Sequence, residues 1–409
     1  MRSKWFYVSV GLVSNILLGT IYSWSVFRKP LENLLGWTSF ESGVPFSVFL
    51  LFFAASMPLS GKLLRMYGPR RVAFLGGLLV GLGWILAGFS LATTYPLLLI
   101  IVFYGVVAGS GVAMVYNTTI TVASNWVPER RGLAVGLTLV GFGISPLITA
   151  PLANYLIFSQ GVQGTFLTIG LMYGAILLAL SAFMVLPRIE AQVGRFGTAA
   201  SPSPYGEYSP SMMVKTARFA GLWIAYAFGT LGGFVAIGQA AKYGQEVVGL
   251  SPELAAMATG VFALFNGAGR PLFGYLADRL QIYVVSIISF VLGIGAALLA
   301  AQISGLAAYM VSYSVFWLVF GGWLALAPRA TTTFFGVQNL SVNYGIVFTA
   351  YGASALVGPT LASILYESLR QYSPVYLLVA SLYGLGLIIS ITMLRTPPEQ
   401  RKEVSAMAK

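Results

Sequence analysis

A chain of 409 residues that is 57% hydrophobic and only 8% charged, with a mean hydropathy of +0.83, cannot cover a water-facing surface; soluble domains carry roughly 25% charged residues. It holds no Cys and no His, and its one Asp is Asp278. Disulfides and Cys-ligated metals are thereby excluded, the commonest general base and metal ligand are missing, and neither a cofactor, a metal site nor an enzymatic activity is expected.

From the N-terminus, Arg2 and Lys4 precede an apolar run that starts at Trp5. It is too long for a signal-peptide core and has no small-x-small cleavage site after it, so it reads as a first span. Apolar runs bounded by charge and by Gly/Pro clusters follow near 5–27, 40–64, 70–91, 96–124, 131–154 and 163–186. After a break they resume near 218–242, 252–277, 281–302, 305–327, 337–366 and 374–394. Each is long enough to cross a hydrocarbon core of roughly 30 Å. The expected fold is an all-α membrane protein of twelve transmembrane helices.

Residues 187–217 interrupt the pattern with Pro187, Pro202, Pro204 and Pro210 among Ser, Gly and mixed charges. The expected organisation is a six-helix bundle at 1–186, a cytoplasmic linker at 187–217 with one amphipathic turn, and a second six-helix bundle at 218–409. The halves echo each other: Gly19-Thr20 matches Gly229-Thr230, Ser39 and Glu41 match Ser251 and Glu253, and Gly61 matches Gly274. Near-constant spacing between these matches implies a duplicated, pseudo-symmetric unit, the build of carriers whose halves rock about a site near the bilayer midplane.

The formal net charge of +12 is explained by topology. With the N-terminus inside, 18 of the 23 Lys and Arg fall in cytoplasmic segments, four (Arg28, Lys29, Lys242, Arg370) in outer loops, and Arg270 alone within a span. That is the positive-inside distribution, so the partner is a lipid bilayer and not nucleic acid. Both termini are expected in the cytoplasm of a multi-pass, monomeric protein of the cell (inner) membrane.

Arg270 lies eight positions before Asp278, about 12 Å into span 8 at ~1.5 Å per residue. Arg at a span centre costs roughly 2.5–3.5 kcal/mol on insertion scales and usually faces a cavity with a partner. Apart from Glu41 and Glu253 at the very starts of their spans, no acidic residue lies within the expected spans, which points to a visiting anion; the planar guanidinium suits a carboxylate. The opposing reading is a side chain snorkelling to the interface. Asn266, four residues earlier, shares its helix face and serves either the anion, the guanidinium or an interhelical hydrogen bond. Pro271 with Gly267, Gly269 and Gly274 marks span 8 as a place to bend. Tyr116 and Asn117 in span 4, Tyr22 in span 1, Tyr313 in span 10 and Tyr351 in span 11 are the other polar candidates at membrane depth, against packing roles. Glu41 and Glu253, behind Ser39 and Ser251, read as helix caps.

Five motifs carry a family resemblance that spans essentially the whole chain. The loop Gly61–Arg71, with Arg65, Gly68, Arg70 and Arg71, resembles the latch loop of the major facilitator superfamily, and Asp278-Arg279 after span 8 resembles its C-terminal copy. The stretch from Phe265 through Asn266, Arg270 and Pro271 to Gly274, with Tyr22–Phe27 and Asn125–Ala134, is similar to the oxalate/formate antiporters and monocarboxylate transporters. The resemblance implies that Arg270 binds a carboxylate, and that Gly61, Arg65, Arg70, Asp278 and Arg279 form a conformational latch. Arg65 departs from the family's Asp, and Gln281 from its second Gly. Family members that take a dianion carry a second base in span 11, and no Lys or Arg occurs between Arg329 and Arg370. The proton-coupled animal members carry Asp where Asn266 stands. Alternating-access transport of a lactate- or pyruvate-type monocarboxylate with a proton is expected, an oxalate/formate-type exchanger being the alternative and a channel or receptor a third reading.

Overall fold

The computed structural model describes residues 3–187 and 206–395. Most of the expected linker, 188–205, lies outside the described residues. The helices are α1 (Lys4–Leu18), α2 (Ser25–Leu35), α3 (Ser39–Ser90), α4 (Pro96–Ile100), α5 (Gly109–Trp126), α6 (Arg131–Ser181), α7 (Pro210–Met213), α8 (Ala217–Glu246), α9 (Pro252–Arg279), α10 (Ile282–Gln302), α11 (Leu306–Phe335), α12 (Leu340–Leu369) and α13 (Ser373–Met393). A 3₁₀ segment, Gly19–Ser23, joins α1 to α2, and a π-helical segment, Ile101–Ala108, joins α4 to α5.

Among the described residues these helices make twelve passes. At 52 and 51 residues, α3 and α6 are each more than twice the length that a bilayer needs. Each is broken by a glycine in the left-handed region, Gly68 at φ 78° and Gly161 at φ 72°, a conformation that costs a glycine little. Nine stretches among the described residues are long and apolar enough to cross a membrane; α9 is not one of them, since it carries Asn266, Arg270, Asp278 and Arg279.

Three boundaries differ from the sequence expectation. The first pass continues as α2 beyond residue 27, so Arg28 sits on a helix and not in a loop. The reason is local: Arg28 and Glu32, four apart on one face, converge on Ser42, whose hydroxyl donates to Glu32 at 2.7 Å and accepts from Arg28 Nε at 3.1 Å. At α3 the cap is Thr38, one residue earlier than Ser39. Thr38 and Glu41 form a reciprocal capping box, Glu41 N donating to Thr38 Oγ1 at 3.2 Å and Thr38 N to Glu41 Oε2 at 2.7 Å. Ser251 caps α9 as expected; the Glu253 side chain lies outside the described residues. Lys242 belongs to α8, which runs on to Glu246.

The chain divides into two compact units, one of residues 1–127 and 137–187, the other of 128–136 and 188–409. The first turns of α6 thus group with the second unit, which nothing in the sequence had indicated. In the first unit, Tyr22 and Tyr116 both set edges against Phe142, and Phe53 joins them, with ring centroids 5.2–5.9 Å apart. In the second unit, α9 and α11 pack along their lengths through glycines. A Cβ on Gly269 would stand 2.1 Å from the Leu318 carbonyl oxygen, and one on Gly321 would stand 2.0 Å from that of Asn266. Small residues that let backbones touch replace the hydrophobic drive that lipid cannot supply.

Candidate functional site

Arg270 is fully buried in the centre of α9. A helical side chain leans toward its own N-terminus, and here the guanidinium folds back over one turn. Nε and Nη2 both donate to Asn266 Oδ1, each at 3.3 Å. The group therefore turns away from the Arg279 end of the helix, opposite to what snorkelling to the nearer interface requires. Asn266 contributes a dipole, which orients a cation without cancelling its charge. With Oδ1 committed, Asn266 Nδ2 is a buried donor that has no acceptor among the described residues. Trp317 Nε1 on α11 is a second such donor, and no sequence signal had singled it out; its place one turn after Tyr313 was the available hint.

The backbone around Arg270 is held on two sides. Gly269 and Gly321 seat α11 as described, while a Cβ on Gly136 would stand 2.5 Å from the Arg270 carbonyl oxygen and one on Gly132 2.3 Å from that of Gly274. The glycines near Pro271 thus serve close helix contacts. The expected bend does not interrupt α9, which stays helical from Pro252 to Arg279 with Pro271 inside it.

The other candidates fall in separate places. Tyr313 belongs to an aromatic group with Phe262, Tyr243, Tyr309 and Tyr376, and its hydroxyl is shared with that of Tyr376. Phe262 is two turns of α9 away from Arg270. Tyr351 stacks on Phe348, sets an edge against Phe234 and lies tilted against Phe320, all in the second unit. Tyr22 and Tyr116 share the Phe142 cluster of the first unit. Asn117 donates from Nδ2 to the Met57 carbonyl at 3.3 Å, a bond between α5 and α3.

Of the expected latch residues, Asp278 makes the most contacts. Its carboxylate accepts from Gly132 N at 3.1 Å and Leu133 N at 3.0 Å, and from Arg329 Nε at 2.9 Å. The first two are orphan donors at the start of α6, a terminus with no acid in its own first turn, and a carboxylate there also meets the positive end of the helix dipole. Arg279 instead lies over the Tyr275 ring, 4.6 Å from its centroid. Gly61 is buried, Arg65 is exposed, and Arg70 lines a surface groove of about 860 Å³ with Arg71 and Phe74. Arg329 was counted from sequence as a topology charge only; its ion-pair partner is 51 residues away, and no spacing rule reaches that far.

A family profile described as Major Facilitator Superfamily matches residues 7–343 and again 222–409. The oxalate:formate antiporter of Oxalobacter formigenes is 28% identical over 89% of this chain and 85% of its own length. Monocarboxylate transporter 2 of Mus musculus is 27% identical over 95% and 83%. Among solved structures, a transporter of the same superfamily, FucP, in the outward conformation superposes with a TM-score of 0.74 at 14% identity, covering 97% of this chain and all of that one.

Proposed function

Because the chain belongs to the major facilitator superfamily, a multi-pass membrane transporter, we propose that it carries a small monocarboxylate of the lactate or pyruvate type. Transport is by alternating access and is coupled to a proton. The single observation that carries this reading is the fully buried Arg270 guanidinium, folded onto a neutral amide in the pass least apolar in composition. A carboxylate supplies the charge, and the planar fork supplies two parallel donors for it; the idle Asn266 Nδ2 is a third. Trp317, Tyr116, Tyr22, Tyr313 and Tyr351 are ranked behind this pair, and Asn117 last, since its amide joins two helices. The Asp278–Arg329 contact at the start of α6 supports a latch role for Asp278. The charge bias supports cytoplasmic termini in the cell membrane.

Proteoliposomes containing the purified protein should accumulate labelled lactate or pyruvate when an inward proton gradient is imposed; uptake equal to that of empty vesicles defeats the proposal. The similarity to an oxalate:formate antiporter favours a second reading, obligate anion exchange. Exchange requires a preloaded counter-anion, so uptake into unloaded vesicles separates the two. One base at 270, with none between Arg329 and Arg370, favours a monoanion.

The neutrality of position 266 has its own test. Asn266→Asp places a carboxylate where the amide now touches Arg270, and an ionised acid there pairs with the guanidinium and competes with cargo. Uptake by this variant should fall at neutral pH and stay low in mild acid, because pairing with Arg270 keeps the new carboxyl ionised. A pH profile superposing on the parent's would show that the 266–270 contact does not control binding.

A further inference from the structure

The start of α6 is not the only place where an acid from elsewhere meets main-chain N–H groups. Ahead of α12, the backbone N–H groups of Val337 and Gln338 donate to the two carboxylate oxygens of Glu207, at 3.1 and 2.8 Å. Glu207 lies in the linker, 130 residues earlier. Its neighbours tie down the same stretch: Tyr208 N donates to the Phe335 carbonyl at 3.0 Å, and Asn339 Nδ2 and Asn343 Nδ2 both donate to the Tyr208 carbonyl at 3.0 Å. The Tyr208 ring sets an edge against Phe335. Gly206 at φ 88° turns the chain into this position, and Gly336 at φ 81° leaves room for the carboxylate, since a Cβ there would stand 2.2 Å from Glu207 Oε2. The far end of the strap is pinned by α7, which Ser209 caps, its Oγ accepting from Met212 N at 3.4 Å.

The two arrangements correspond. Neither α6 nor α12 has an acid in its own first turn, and a carboxylate from elsewhere meets main-chain N–H groups at each place: Asp278 those of Gly132 and Leu133 in the first turn of α6, Glu207 those of Val337 and Gln338 in the turn just before α12. Basic side chains accompany both: Arg329 bonds Asp278, and Arg131, at the start of α6, lies within electrostatic reach of Glu207, Asp278 and Arg329. The loop at 61–71, the counterpart of the segment that supplies Asp278, has Arg65 and no acid.

We propose that Glu207 is the acid of a second clasp, borne by the linker, which holds residues 206–208 across the junction of α11 and α12. The linker is then a working part of the conformational cycle and not a tether. A carrier must make and break contacts at one end in every cycle, and charge-assisted bonds to main-chain N–H groups of a turn can be released without unfolding either helix.

The absence of Cys makes the test direct. Ala330, fully buried on α11, is replaced by Cys as a reporter, alone and with Glu207→Gln. Labelling by a soluble maleimide should be about tenfold faster with Glu207→Gln, the scale of one charge-assisted bond. Hydrogen exchange of the 335–343 segment should accelerate in step. Glu207→Ala should behave alike, and Glu207→Gln at an exposed site is expected to elute as the parent does. Unchanged exchange would show that Glu207 does not hold the strap, and faster exchange with unchanged labelling would show that the strap does not restrain α11; either overturns the proposal. No cargo enters these measurements, so a wrong carboxylate assignment leaves them intact.

Discussion

Arg270→Ala is expected to bring carboxylate uptake down to the level of empty vesicles. Truncating one partner of a buried, hydrogen-bonded charge pair costs about 2–5 kcal/mol, or more than ~30-fold in affinity. The protein itself should tolerate the change better than its function does. Burying a guanidinium is costly unless a counter-charge arrives, so loss of the charge offsets part of the cavity that alanine leaves. The measurement is a thermal-stability series over small carboxylates with parent and variant. The parent's midpoint should rise with the true cargo by mass action, and the variant's should not move. Arg270→Lys keeps the charge but loses the planar fork, and should bind weakly. Arg279→Ala is the comparison, because Arg279 lies over Tyr275 rather than on Asn266, and it should respond as the parent does. Equal ligand shifts in the parent and Arg270→Ala would remove Arg270 from the site.

Gly321→Ala is expected to be the most damaging small substitution in the second unit. The added carbon would stand 2.0 Å from the Asn266 carbonyl oxygen, with Asn266 Oδ1 at 2.7 Å. The obstacle is main chain, so no rotamer change relieves it and α9 and α11 must part. Overpacking of this kind typically costs about 1–3 kcal/mol. The shift also moves the amide that orients Arg270, so binding should weaken along with stability. Gly260→Ala on the same α9 meets nothing within 4 Å and should hold or raise the midpoint, because alanine favours a helix by roughly 1 kcal/mol over glycine. If the two variants melted alike, close α9–α11 contact would not be what positions the site.

How the site could be read from sequence differs residue by residue. Arg270 and Asn266 were legible because a helix places i and i+4 on one face, and a lone cation in an apolar run is conspicuous. Asp278 was legible as the sole Asp. The partners of Asp278 were not: Gly132 and Leu133 offer only backbone N–H groups, which every residue has, and Arg329 resembles any other basic residue beyond a span end. Glu207 was hidden in the same way, in a Pro-rich stretch whose composition says loop. For the tyrosines, depth in the membrane cannot distinguish Tyr313, whose hydroxyl meets that of Tyr376, from a cavity-lining ring.

By itself the sequence determined the twelve-pass helical architecture and the Arg270–Asn266 pair. These follow from composition, from apolar run length against bilayer thickness and from helical periodicity, all local properties of the chain. Only the tertiary structure decided which glycines let backbones touch, which carboxylates meet the start of α6 and the turn before α12, and that residues 207 and 208 bond the α11–α12 junction. Those features rest on groups 49 to 146 residues apart meeting through main-chain atoms, and a main-chain donor leaves no mark in the side-chain alphabet.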